Sequence, residues 1–485
     1  MTAESDHAGI PASSARREAL RTLGLAGLGL LSGCADSNDA TAPAYVEDVA
    51  RIAPMPVARI VRPSDTASVQ AAVRSADSAI SIGGARYSMG GQIAARDSLH
   101  LDMRGMRRLI WLDPARQRVR VQAGMCWRDL LDHLDPHDLS PRIMQSYSNF
   151  SIGGSVAVNC HGRYVGAGPL AHSLRALQLV SADGSVHELD RQQSPDLFAA
   201  VIGGYGGLGV VTEVELDLTD NQRMQRHVER LPLADYPDYF RSQVAGRADV
   251  LMHNADLVPP HFDAPLAISW RRSQAALTHP QRLIARGLDY RREQNLIWAV
   301  SELPAGGLLR DRFQTERLLH EPMVQLRNRE ASLDAAALEP RTRQFSTYLL
   351  QEYFIPVAGF GSFARSMTAI LQQHRVQALN ISIRHSPADR DSLLAWAREE
   401  VFSFVLYHKQ DAGQAADDRA GIWTRHLIDA ALLHGGRYYL PYRLHATRGQ
   451  FLRAYPEAQA FATLKRQLDP QRRFRNQLWD TYLPT

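Results

Sequence analysis

The chain has 485 residues, 45% of them hydrophobic, enough for two or three domains with sizeable cores. A net charge of +4 and a pI near 9.0 are mild for this length, so no nucleic-acid partner is expected. Three cysteines exclude a disulfide framework, and only Lys409 and Lys465 are available as lysine bases.

Arg16-Arg17 precedes a short apolar run, Leu23 to Leu31, too short to span a bilayer. A charged region before a short apolar one reads as an export signal over residues 1–34. The twin arginine suits the route that carries folded proteins. Leu31-Ser32-Gly33-Cys34 resembles a bacterial lipobox. A lipidated Cys34 would anchor the protein to the cell-envelope membrane on its periplasmic side, with residues 35–50 as a tether. The alternative is a plain signal with an incidental cysteine.

Residues 51–222 mix strands and helices in an α+β rhythm. Val57 to Val61 reads as a strand, and Asp65 caps a helix to about Ala76 that buries Val69 and Val73. Strands follow at Ala79 to Ile82, Leu99 to Leu101, Leu109 to Leu112 and Val119 to Val121, then a helix from Trp127 to Leu134. Cys126 begins that helix, and it and Cys160 are expected to be free thiols rather than a pair. Ala176 to Val180 and a strand ending at Leu189 flank the Ala182-Asp183-Gly184 turn.

Three glycine-bearing segments punctuate this region: SIGGARYSMGGQ from Ser81, SIGGSVAVNCHGRYVGAG from Ser151 and GGYGGLGVVTEVELDL from Gly203. Glycines at this density let backbone N–H groups turn inward into a nest that attracts a phosphate. Two such loops close together suggest a long diphosphate ligand gripped at more than one place. Gly204, Gly206 and Gly209 fit G-x-G-x-x-G, yet a helix-like run, Asp196 to Ile202, precedes them and a strand, Val210 to Leu218, follows. The dinucleotide fingerprint needs strand, loop, then helix, so a Rossmann nicotinamide site is rejected.

Taken in order, the three segments resemble the FAD-binding domain of the vanillyl-alcohol oxidase superfamily, the PCMH-type fold. The resemblance spans Val57 to Leu218 and implies bound FAD. By that resemblance the first segment (Ile82, Gly83, Gly84, Ala85, Arg86, Tyr87, Ser88, Gln92) cradles the diphosphate. The second (Ser151, Gly153, Gly154, Ser155, Asn159, His161, Gly162) runs along diphosphate and flavin. The third (Gly204, Gly209, Val210, Val211) holds the adenine end through its backbone.

Residues 223–460 change composition and look like the substrate-binding domain of the same family. Met252, Leu257, Ala267 to Trp270 and Tyr348 to Phe354 read as strands; Ala369 to Gln373 and Ser392 to Trp396 read as helices. Ala285 to Arg292 and Arg310 to Asn328 read as a basic, solvated surface. The tail, residues 461–485, carries Asp469-Pro470 and Phe474 to Trp479, similar to the family's closing segment, which returns to the flavin domain. The expected fold is α+β: a two-lobed PCMH-type FAD-binding domain plus a substrate domain on a mainly antiparallel sheet with helices.

Many relatives carry a histidine in the first loop that bonds covalently to flavin; Tyr87 stands there, so FAD is expected to be held non-covalently. Cys160 is a less favoured attachment point, and His161 is expected to be structural. Gln351 to Pro356 is similar to the strand that sugar-alcohol and sugar-lactone oxidases place beside the flavin. In those relatives an acid and an arginine stand two apart on a neighbouring strand; here they are Ser382 and Arg384. Arg384 is the candidate to stabilise reduced flavin or an oxyanion, with His385 on the opposite face. Tyr439 or Tyr442 is the candidate to orient a hydroxyl, Glu352 is read as an acid paired with an arginine, and Asn476 as a support for the flavin ring. No residues are assigned to a metal.

The expectation is an exported, membrane-tethered FAD-dependent oxidase or dehydrogenase. It would oxidise a CH–OH group of a sugar, polyol or lactone, with oxygen or a membrane quinone or cytochrome as acceptor. The open alternatives are a non-catalytic flavin-fold lipoprotein that binds a ligand or partner, and a nicotinamide-dependent FAD reductase.

Overall fold

The computed structural model describes residues 44–303, 306–310, 315–340 and 342–483. The export signal, Cys34 and the first part of the tether lie outside the described residues. Residues 44–50 are not a free tether. β1 (Ala44–Val46) pairs antiparallel with β2 (Met55–Val57), and Val46 and Ala50 are buried.

The first half holds two further sheets. β3 (Arg59–Val61), β4 (Ile80–Gly83) and β5 (Leu99–Asp102) form a parallel trio in the order β3-β5-β4. The expected single strand from Val57 to Val61 is broken at Ala58, whose N–H donates to the Ser98 carbonyl. β6 (Leu109–Asp113), β7 (Arg118–Gln122), β8 (Leu139–Pro141), β9 (Leu174–Val180), β10 (Val186–Asp190) and β11 (Val210–Asp220) form a second sheet, ordered β10-β9-β11-β7-β6 with β8 also on β11.

Helix α1 (Thr66–Arg74) starts at a capping box: Asp65 and Ser68 each take the other's backbone N–H. It buries Val69 and Val73. In α2 (Trp127–Leu134) the buried residues are Trp127, Leu130, Leu131 and Leu134, a 3–4 spacing that places them on one face. The second glycine segment is more regular than a loop, because Ile152–Ala157 forms a short helix, α3. α4 (Pro195–Val201) precedes the third segment, and β11 follows it.

The second half is organised by one eight-stranded sheet. Its strands are β12 (Arg223–Arg230), β13 (Val250–Leu257), β14 (Leu266–Arg272), β15 (Val324–Leu326), β16 (Ser346–Pro356), β17 (Ala378–Ser386), β18 (Val401–Asp411) and β19 (Arg437–Tyr438). Every pairing in it is antiparallel, in the order β15-β12-β14-β13-β17-β18-β16-β19. Helices α5 (Phe360–Gln373) and α6 (Gln414–Leu433) accompany it.

Two expectations fail here. Ser392 to Trp396 is not helical, because the Asp389 carboxylate takes the N–H groups of Asp391 and Ser392 and holds the chain in a turn. The stretch to Asn328 is not all solvated surface. Arg327 and Asn328 are buried: the Arg327 guanidinium lies 4.3 Å from the Tyr164 ring centroid and donates to the Pro141 and Arg142 carbonyls.

The tail completes the first half. Phe474 bridges Ile80 in parallel, Ile80 N–H donates to the Arg473 carbonyl at 2.6 Å, and Arg475 N–H donates to the Ile80 carbonyl at 2.9 Å.

Candidate active site

The three glycine segments meet in one groove. Its walls include Ile82, Gly84, Ser88, Gln92, Ser151, Gly153, Gly154, Gly204, Gly206, Gly209 and Val211. The Ser151 hydroxyl accepts the Ala85 N–H at 3.1 Å, tying the first segment to the second. Gly203 and Tyr205 donate their N–H groups to the Val156 and Ala157 carbonyls, tying the second to the third. Two positions demand glycine. A Cβ on Gly84 would stand 2.1 Å from the Ser151 hydroxyl oxygen, and Gly206 has φ +67° with Ile82 closing over it.

The tail shapes the third segment from beneath. Lys465 Nζ donates to the Gly207 carbonyl, Asn476 Nδ2 to Tyr205 and Trp479 Nε1 to Gly204. Asn476 therefore holds the glycine segment and caps the last helix, Gln477–Tyr482, rather than supporting a flavin ring.

Among the described residues, no charged side chain lines the groove. Its walls are backbone and small or apolar side chains, which suits a long ligand whose anionic centre is met by N–H groups. FAD fits that description.

The groove opens into a cavity of about 210 Å³. Gly84, Ser88, Ile93, Ser151, Gly154 and Val158 line both, so the two are continuous. The first two glycine segments contribute Ala85, Arg86, Tyr87 and His161 to the cavity, and the eight-stranded sheet contributes Glu352, Arg384, Val405 and Tyr407. Glu352 on β16 and Ser382 on β17 both face Val405 of β18 in the register.

Glu352 is 3% exposed and pairs with His161, Oε1 to Nε2 at 2.5 Å, instead of with an arginine. Tyr442 donates its hydroxyl to the other oxygen, Oε2, at 3.3 Å. Burial alone would raise the Glu352 carboxyl, but His161, and Arg384 at longer range, hold it below its ordinary range. The pair is sealed by aromatic rings: Trp396 lies 4.9 Å from the His161 ring and stacks on Phe354 at 4.2 Å.

Arg384 lines the same cavity with no ion-pair partner among the described residues, and its buried Nε has no hydrogen bond. His385 lies on the other face, bonded to Glu400 at 2.6 Å. The Tyr439 hydroxyl is already committed to the Val158 carbonyl at 2.8 Å, which makes Tyr442 the tyrosine available to a substrate. Tyr87 packs on Phe150 at 4.5 Å, and burial pushes its phenol well above the ordinary range. Cys160 also lines this cavity; it is 2% exposed, and burial likewise raises its thiol.

Several residues expected at the cofactor do not line either cavity. Gly83 faces the His100 ring, and Gly162 is pressed against the Met144 carbonyl and Tyr164. Ser155 binds Trp127 and Gln145, Val210 belongs to the core around Val69 and Phe474, and Asn159 binds Asp389 and the Ala171 N–H. The glycine pattern marked the right segments, but within each it could not separate wall from support. The His161–Glu352 contact joins residues 191 apart and left no trace in the sequence.

Residues 57–190 match the family described as FAD binding domain. The chain is 32% identical over 122 residues to L-galactono-1,4-lactone dehydrogenase 1 of Oryza sativa, covering 25% of this chain and 21% of that protein. It is 33% identical over 124 residues to L-gulonolactone oxidase of Mus musculus, covering 26% and 28%. It is 25% identical over 388 residues to L-gulono-1,4-lactone dehydrogenase of Mycobacterium tuberculosis, covering 79% and 86%. The match therefore spans about a fifth of the rice relative and most of the mycobacterial one.

Proposed function

We propose that this chain, built on a PCMH-type FAD-binding domain, is an FAD-dependent oxidoreductase that oxidises a CH–OH group of a sugar-lactone or polyol substrate. One observation carries the reading: the glycine groove runs without interruption into a cavity whose far wall presents Glu352, Tyr442 and Arg384. The names of the relatives point to the same substrate class.

Bound FAD supplies a hydride acceptor next to the substrate carbon. Backbone along Gly84, Gly153, Gly154, Gly204 and Gly206 would hold its extended part. Tyr442 orients the substrate hydroxyl and passes its own proton to Glu352 Oε2 as it takes up the substrate's, while His161, 2.5 Å from Oε1, holds the carboxylate in place. Arg384, free of a carboxylate partner, stabilises negative charge that develops beside it. The sheet wall and the Trp396–Phe354 stack exclude water from the pair. Glu352 thus supplies the acid that Ser382 lacks.

Anaerobic loss of flavin colour on adding sugar lactones or alditols tests the reading; a flavin-loaded protein that stays yellow with all of them would reject it. The FAD is held without a covalent bond, since Tyr87 stands where the linkage would form; acid precipitation should leave the colour in solution. Export and tethering rest on Arg16-Arg17 and Cys34: Cys34→Ala should move the protein from the membrane to the soluble fraction. Oxygen or a membrane quinone or cytochrome completes the cycle, and stopped-flow reoxidation with each tells them apart.

A further inference from the structure

Beyond the flavin-side cavity lies a second one of about 580 Å³, joined to it through Tyr147, Arg384, Val405 and Tyr407. Its floor is built by register. β13 and β17 pair antiparallel with Asp256 opposite Ser382. Side chains two apart on a strand share a face. Asn254, Asp256, Asn380 and Ser382 therefore form a polar shelf that continues the line of Arg384. The proposed reaction uses none of these four.

The shelf has unused hydrogen-bonding capacity. Asn254 Nδ2 donates to Asp256 Oδ1 at 3.1 Å, but Asn380 Oδ1 is buried without a partner. The indole N–H of Trp270, whose side chain lines the same cavity from β14, is also buried without a partner. Leaving a buried polar atom unpaired is costly, so two of them around one cavity point to an occupant that pairs with them.

Chemistry and length identify its class. A carboxylate, two amides and a hydroxyl at strand spacing, beside an indole, match a ring with hydroxyls on its edge and C–H groups on its face. At ~30 Å³ per water, the cavity would hold roughly twenty waters, more than the dozen or so non-hydrogen atoms of a single six-carbon lactone need. The cross-strand row Glu352, Val405, Ser382, Asp256 crosses three strand spacings, ~14 Å, which exceeds one sugar ring.

Resting on the oxidoreductase reading above, we propose that this cavity is a subsite for a second sugar ring, and that the substrate is a glycosylated polyol or lactone of disaccharide size. Its terminal carbinol reaches the flavin-side cavity while the adjoining ring lies on the Asn254–Asp256–Asn380–Ser382 shelf.

The test compares sorbitol with the hexosyl-hexitols maltitol and lactitol on flavin-loaded protein. Wild type should give a KM at least tenfold lower for one of the larger alditols, with kcat within a few-fold. Asp256→Ala and Asn380→Ala should each raise that KM fivefold or more and leave sorbitol unchanged. Asn380→Asp keeps the size of the side chain and replaces its amide with a carboxylate beside Asp256, so it should raise the same KM and keeps the test open if Asp256→Ala folds poorly. Equal KM values for both sizes, or equal effects of the variants on both, would overturn the subsite. If no alditol is oxidised, calorimetry separates the two claims. Maltitol or lactitol binding that Asn380→Ala weakens upholds the subsite and sinks alditol oxidation; no heat from either sinks the subsite.

Discussion

The groove and the sheet wall are made of different material. The groove is backbone: glycines, a short helix and carbonyls held from behind by Lys465, Asn476 and Trp479. The wall opposite is side chains, projected at two-residue intervals from β13, β16, β17 and β18. A backbone surface binds what many proteins share, such as a diphosphate, and tolerates little change at its glycines. A side-chain surface can be rewritten one residue at a time without disturbing a strand.

Substitutions on either side should separate these two materials. The largest effect belongs to the groove. Gly206→Val forces a β-branched residue to φ +67° against Ile82. The purified protein should fold, by circular dichroism, yet carry less than a tenth of the wild-type flavin per chain; full flavin content would break the contrast. On the wall, Arg384→Ala should keep flavin but slow its anaerobic bleaching about 10²–10³-fold, the range for losing one preorganised charge-stabilising group. Flavin loss in that variant would mean that the wall also grips the cofactor.

The next effect concerns the frame behind the first segment. Asp102 pairs with Gly83 across the parallel trio and takes hydrogen bonds from Arg104 and Arg62. Burial opposes ionisation, but the two arginines outweigh it and hold the carboxyl well below the usual range. A depressed carboxyl contributes stability that is complete above its unfolded pKa, about 3.9, and is lost as pH falls through the folded value. Denaturation midpoints should therefore decline below about pH 4, and Asp102→Asn should flatten that decline. The smallest effect is Tyr439→Phe, which removes the bond to Val158: about 1 kcal/mol of stability, with little change in bleaching rate. Tyr442→Phe should do the reverse.

The same contrast explains what could be read from the sequence. The glycine spacing located the three segments that meet in the groove because backbone nests need glycine at set intervals, but not Met103 and Ala123, which also line it. The helix–loop–strand context around Gly204 to Gly209 correctly argued against a nicotinamide fold. The wall was only half legible. Arg384 stood out on a strand, but Asn254 and Asp256 lie about 130 residues upstream of it and meet Ser382 only through pairing. Tyr439 and Tyr442 could not be told apart, since their roles depend on which carbonyl or carboxylate each reaches. Asn476 reads in the sequence as a support for the flavin ring, whereas it donates to the Tyr205 carbonyl of the third segment; a side chain that braces a glycine loop resembles one that touches a ligand.

The Arg473–Arg475 stretch that flanks Ile80, with Lys465, Asn476 and Trp479 behind the glycines, has a consequence for biosynthesis. A ribosome makes the groove's front long before its bracing. An emerging N-terminal half presents the glycines without the props that set their carbonyls, so the nucleotide is taken up after the polypeptide is released. A stop codon placed just before Arg473 should thus yield a colourless product even though every residue touching the groove is present.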